Sequence, residues 1–146
     1  MVATTRERIV TGMDRLQLAL AGIPDERAEE PGVCGDWSVR ELVHHVAYWE
    51  DNEARELEGL LRGEPRPDHQ GEGEWWLAVN AAVAATWTGR SFQDARRELT
   101  DAHNRLLTAL DGFAAGEEPD VSADTWEHFD EHRADIERWK AGTAPA

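Results

Sequence analysis

Apolar residues recur along most of this chain at steps of three and four, the spacing that lines one face of an α-helix. In the first such stretch Ile9, Met13, Leu16 and Leu20 form a stripe, and Thr4 with Glu7 has capping-box spacing at its start. Gly22 and Pro24 end it, and residues 25–36 read as a loop. The second stretch has the best-defined start, with Ser38 and Glu41 repeating the box and Trp37 and Leu42 placed as a hydrophobic staple. Leu42, Val46, Trp49, Leu57 and Leu60 then share one face. His45 falls at the edge of that face, while its neighbour His44 projects nearly opposite, toward water. Gly63, Pro65 and Pro67 end the helix, and residues 63–73 read as an exposed, mobile loop carrying His69.

A third pattern starts near Glu74 or Trp75 and runs through Trp76, Val79, Val83 and Trp87. It breaks at Gly89-Arg90-Ser91 and resumes with Ala95, Leu99, Ala102, Leu106, Leu110 and Phe113. Ser91 can cap the continuation, so the pattern predicts a short helix followed by a longer one, or a single helix kinked near residue 89. The last helix, opening near Asp124, places Phe129, His132, Ile136 and Trp139 on one face with His128 on its flank. Residues 141–146 are expected to fray. No segment of useful length alternates with period two. The pattern therefore predicts an all-α, single-domain four-helix bundle over residues 1–146.

Charge narrows the function. Fifteen Lys and Arg stand against 30 Asp and Glu, a net charge of −15, which argues against binding a nucleic-acid backbone or an anionic membrane surface. Seven Trp argue for a packed core, because acidic disordered chains are poor in aromatics. No run approaches the roughly 20 apolar residues of a membrane span. The first residues carry charge directly into the first helix with no signal-peptide core. The single cysteine, Cys34, excludes an internal disulfide and a multi-cysteine metal site, and the expected compartment is the cytoplasm.

His128 and His132 are four apart on one helix, so their rings project to one side, one turn from each other. Six histidines in 146 residues make a chance pair at this spacing common, and two solvated side chains are the bland alternative. Both, however, lie in or beside an apolar stripe, and His45 lies at the rim of another. Three inward imidazoles are costly unless each ring nitrogen finds a partner, and one shared divalent ion would satisfy all three. Such a set leaves coordination positions open, as in a catalytic site. It suits zinc, nickel, copper and iron alike. The reading requires the three rings to converge to within about 6 Å, since ligand bonds are near 2 Å.

The segment Trp37-Ser38-Val39-Arg40-Glu41-Leu42-Val43-His44-His45 resembles the second-helix signature of the DinB-like superfamily, in which a Trp-Ser cap leads to a ligand His eight residues after the Trp. Thr125-Trp126-Glu127-His128-Phe129-Asp130-Glu131-His132 resembles the family's last-helix HxxxH motif. Asn80 and the Gly89-Arg90-Ser91 break are similar to the ClbS/DfsB branch. The resemblance runs over nearly the whole chain, and it is specific at the two histidine motifs and loose in the first and third helices. It implies a DinB-like metal-binding bundle in which His45, His128 and His132 are the ligands. His44 stands where relatives often have a small residue. Relatives include thiol-dependent S-transferases, isomerases and ring-opening hydrolases of self-resistance. The resemblance therefore implies a metal-dependent transferase or hydrolase acting on a small electrophilic molecule, with a divalent ion and either water or a low-molecular-weight thiol co-substrate as the nucleophile. The alternatives are a non-catalytic protein that sequesters a small molecule and a dimeric, stress-related interaction protein.

Other residues carry weaker signals. Glu53 falls in the buried stripe of the second helix and is read either as a general base or ligand-supporting carboxylate, or as a side chain that snorkels out or pairs with an arginine. Cys34, a few residues before that helix, is a candidate nucleophile if the helix N-terminus lowers its pKa. His103 reads as a core histidine bonded to a neighbour. Trp75 and Trp76 are placed to line a pocket mouth, and Glu50-Asp51 reads as a solvated helix back.

Overall fold

The computed structural model describes residues 2–142, and every regular element in it is helical. The order is α1 (Thr5–Leu20), α2 (Val39–Leu61), α3 (Trp76–Ala84), α4 (Phe92–Leu110) and α5 (Trp126–Lys140), with 3-10 turns at Arg27–Glu29 and Ser122–Asp124. Local chemistry sets three of the starts. Thr4, Ser38 and Ser91 each close a capping box, with Glu7, Glu41 and Asp94 respectively, satisfying donors that a helix N-terminus otherwise leaves open.

Four long helices share one core. Ile9 and Leu20 of α1, Leu42 and Leu57 of α2, Leu99 and Leu106 of α4, and Phe129 and Ile136 of α5 are all fully buried in it. Each such side chain contributes about 1.5–3 kcal/mol by leaving water. α2 packs chiefly on α4 and α1 on α5, and α2 also meets α5. That last contact joins the two helices that carry the candidate histidines.

The third pattern resolves into two helices. Gly89, at φ +81°, makes the turn between α3 and α4, a conformation L side chains rarely adopt. α3 contributes no buried residue, with Trp76 and Leu77 exposed on it, so it lies on the bundle rather than in it. Trp87, read as part of that helix, lies beyond its end and is buried. The last helix starts at Trp126, two residues later than expected. Asp124 ends the preceding 3-10 turn, and the Thr125 hydroxyl donates to the Val121 carbonyl at 2.7 Å instead of capping. Residues 141–142 form a turn, and 143–146, where fraying is expected, lie outside the described residues. No helix among the described residues is long and apolar enough to cross a membrane.

Gly12 fixes how closely α1 and α5 approach. A Cβ there would lie 3.2 Å from Phe129 Cδ2 and 3.3 Å from Trp126 Cβ, next to the turn that carries His128. Gly12→Val therefore overpacks this contact and lowers stability by about 1–3 kcal/mol. Leu18→Ala, at a position 74% exposed, changes it by less than about 0.5 kcal/mol. Urea unfolding of the two variants checks the contrast.

Candidate metal centre

α2 supplies His45, and α5 supplies His128 and His132 from successive turns. The Nε2 atom of His128 lies 3.0 Å from that of His45 and 3.0 Å from that of His132. The ring centroids are 4.6–5.1 Å apart, inside the limit the sequence reading required. His45 and His132 are buried and His128 is half-buried. The three offer one ligand atom each within a common 4.8 Å span.

The protons available do not satisfy this arrangement. His132 Nδ1 donates to Asp135 Oδ2 at 2.9 Å, so in its neutral form its Nε2 presents a lone pair. If His128 carries its proton on Nε2, it donates to His132 and then has no lone pair for His45. If it does not, its Nε2 lone pair faces that of His132. Neutral rings therefore leave at least one of the two 3.0 Å contacts without a hydrogen. His128 Nδ1 is also buried with no partner among the described residues. A cation at the centre removes the conflict, because all three Nε2 lone pairs then point at positive charge. The donor set fits a divalent ion.

Burial also holds His45 and His128 in the ligating form. Desolvation pushes the His45 pKa down to about 3, with the neighbouring His132 acting in the same direction. His128 is lowered by burial first, then by His132 and His45. Asp135 orients His132, and Arg138 in turn pairs with Asp135, the carboxylate–histidine support common at metal sites.

The cluster lies in a cavity of about 400 Å³. Trp49, Trp75 and Trp76 all border it, so the adjacent tryptophans do line a pocket. Trp49 Nε1 donates to Asn80 Oδ1 at 2.7 Å, and the His69 ring stacks on Trp75. His69 thus touches the aromatic wall from the 63–73 loop.

Several residues depart from expectation. His44 is buried, not wet: its Nδ1 meets Glu98 Oε2 at 2.6 Å and its ring stacks on Trp87. α4 covers that side of α2, so both faces of the helix are occupied, and His44 borders a different cavity. Glu50, read as solvated, is fully buried against His103 Nδ1 at 2.8 Å. That contact is the neighbour expected for His103. The Cys34 thiol is pushed up to about 11, first by burial and then by Asp135, so it lacks the lowered pKa a nucleophile needs. Glu53 pairs with Arg66, which also bonds Glu56 at 3.0 Å and the Asp120 carbonyl at 3.0 Å.

Asp124, read only as a helix start, borders the cavity and faces Glu53 within hydrogen-bonding reach. Two signals pointed to it: a carboxylate in a buried stripe needs a partner, and Asp124 precedes His128 by the same four residues that separate His128 from His132.

A profile described as the DinB superfamily matches residues 8–135. No curated protein matches the sequence. Among solved structures, an uncharacterised protein from Escherichia coli UTI89 is similar at a TM-score of 0.81 and 15% identity, over 97% of this chain and 95% of that one. A structural-genomics target from Streptococcus pneumoniae is similar at a TM-score of 0.76 and 14% identity, over 97% and 92%. At these identities the two structures establish the fold alone.

Burial raises the Glu53 pKa well above its ordinary 4.5 despite Arg66. Because the unfolded chain ionises first, the stability linked to Glu53 is present below pH 4.5 and is lost as pH rises through the raised folded value. Glu53→Gln is therefore expected to gain stability relative to the wild type with rising pH, by at most about 1.4 kcal/mol per pH unit. Denaturant midpoints of both proteins at several pH values check the slope.

Proposed function

Because the chain belongs to the DinB superfamily, we propose that it forms one DinB-like domain in which His45, His128 and His132 hold a divalent ion. We read it as a metal-dependent enzyme that adds a low-molecular-weight thiol or water to a small electrophilic molecule. The observation that carries this reading is the meeting of three Nε2 atoms at 3.0 Å contacts, with too few protons between them, beside an aromatic-walled cavity. Asn80 at the cavity and the Gly89-Arg90-Ser91 break at the α3–α4 turn support the ClbS/DfsB branch. The free Cys34 thiol suits a reducing compartment such as the cytoplasm.

When bound, the ion supplies Lewis-acid chemistry, favouring the deprotonated form of a thiol or water nucleophile and polarising a substrate oxygen. The donor set does not choose among zinc, nickel and iron. The protein's own residues do the rest. Asp135 holds His132 in the tautomer that presents Nε2. Trp49, Trp75 and Trp76 offer flat apolar faces to an uncharged or aromatic electrophile. Trp49 is held in place by its bond to Asn80. The aromatic wall also favours a second reading, a protein that sequesters a small molecule without turning it over.

Protein purified without a histidine tag is expected to carry about one divalent ion per chain. His45→Ala, His128→Ala and His132→Ala each lose it, while His103→Ala, whose ring pairs with Glu50, keeps it. Asp135→Asn retains the fold and weakens the ion by roughly 10–100-fold. Elemental analysis and competition with a chelating dye measure these effects. A thiol and electrophile panel monitored by mass spectrometry separates the readings, since sequestration predicts bound but unaltered electrophile.

A further inference from the structure

The segments that bring the imidazoles together also bring two carboxyl groups together. Glu53 lies eight residues after His45 on α2, and Asp124 lies four residues before His128, at the end of the 3-10 turn that leads into α5. Asp124 borders the same cavity as the three histidines, and Glu53 stands behind it, 2% exposed. The two side chains are in hydrogen-bonding reach of each other. Arg66 closes the group from the 63–73 loop, donating to Glu53 and Glu56 and to the Asp120 carbonyl.

One cation cannot balance three carboxylates in this environment. Among the described residues Arg66 is the positive charge paired with Glu53 and Glu56, and Glu53 is the side chain bonded to Asp124. A buried carboxylate and a half-buried one this close retain a proton between them, since both cannot ionise at little cost. Burial raises Glu53 and Asp124 alike, in agreement with that argument. Glu53 is then the carboxylic acid, donating its O–H to the Asp124 carboxylate.

Resting on the reading of the histidine cluster as the place where a nucleophile is held, we propose that Asp124 is the proton acceptor of the site and that Glu53 is its positioning residue. The nucleophile's O–H or S–H proton moves to a carboxylate oxygen of Asp124, and the electron pair left on oxygen or sulfur forms the bond to the electrophilic carbon. The bond from that carbon to its leaving group breaks with both electrons on the leaving group. Asp124 returns the proton there, restoring the pair, so no oxidant or reductant is consumed. Glu53, out of reach of the cavity, acts only through Asp124. A purely structural role, in which Arg66 and the three carboxyl groups merely tie the 63–73 loop to the bundle, predicts no change in proton traffic when a nucleophile binds.

The test loads the protein with cobalt(II) and titrates it with 2-mercaptoethanol. Calorimetry in buffers of different ionisation enthalpy counts the protons released, and the sulfur-to-cobalt absorption band reports binding. Wild type is expected to release about one proton fewer per thiol bound than Asp124→Asn, because Asp124 captures it. Glu53→Gln still captures it but shifts the pH at which capture occurs. Equal release by wild type and Asp124→Asn, with the absorption band intact in both, overturns the proposal and leaves the metal reading standing. A wild type that takes up no cobalt overturns the metal reading, and this proposal with it. Should Asp124→Asn fail to fold, carboxyl NMR of the unmutated, metal-free protein decides. Glu53 and Asp124 shifting together in one step above the ordinary carboxylate range supports the pair, and two independent titrations at ordinary values overturn it.

Discussion

Imidazole nitrogens held 3.0 Å apart must share protons or share a cation, and this bundle denies them enough protons. Asp135 accepts the hydrogen bond of His132 Nδ1–H, burial keeps His45 and His128 uncharged, and the Nδ1 of His128 has no partner among the described residues. Packing alone keeps the rings together against this cost. Phe129 lies between the two α5 histidines in sequence and is fully buried in the shared core. The close approach at Gly12 seats the start of α5 against α1. A buried polar cluster that is only partly satisfied is expensive. The core therefore stabilises an arrangement that only an added charge completes.

The same logic extends along α2, which is covered on two sides. One side carries His45 toward the cluster. The other carries His44 to Glu98 and Glu50 to His103, both across to α4. His44 and Glu50 thus each meet a hydrogen-bonding partner from another element, the arrangement that makes such burial tolerable. Glu53 is the exception in kind, because its partners are a cation on a loop and a second carboxyl at the cavity. That is where a buried charge is poised to change its protonation state rather than simply to be neutralised.

Much of this was legible in the residues. The boxes at Thr4 and Ser38 and the recapping at Ser91 act over a single turn, so short-range chemistry locates those helix starts without tertiary information. The convergence of His45, His128 and His132 followed from apolar stripes that had to face one core. What was missed depends on which sides of a helix other elements cover. A helical projection that assumes one wet face sends His44 and Glu50 to water, whereas α4 buries both. The start of α5 was misplaced because Asp124 has capping chemistry, yet its carboxyl is engaged with Glu53, a contact between residues far apart in sequence. Cys34 lies before a helix start, but the Asp135 carboxylate and burial outweigh any stabilisation of a thiolate there.

The central claim is that the three rings bind one ion through nitrogen. X-ray absorption at the metal edge of zinc-loaded protein tests it most directly. The account predicts a first shell containing three imidazole nitrogens at about 2.0–2.1 Å, with the outer-shell scattering that imidazole rings produce. A shell of oxygen atoms alone, or one with fewer than three imidazoles, would contradict it.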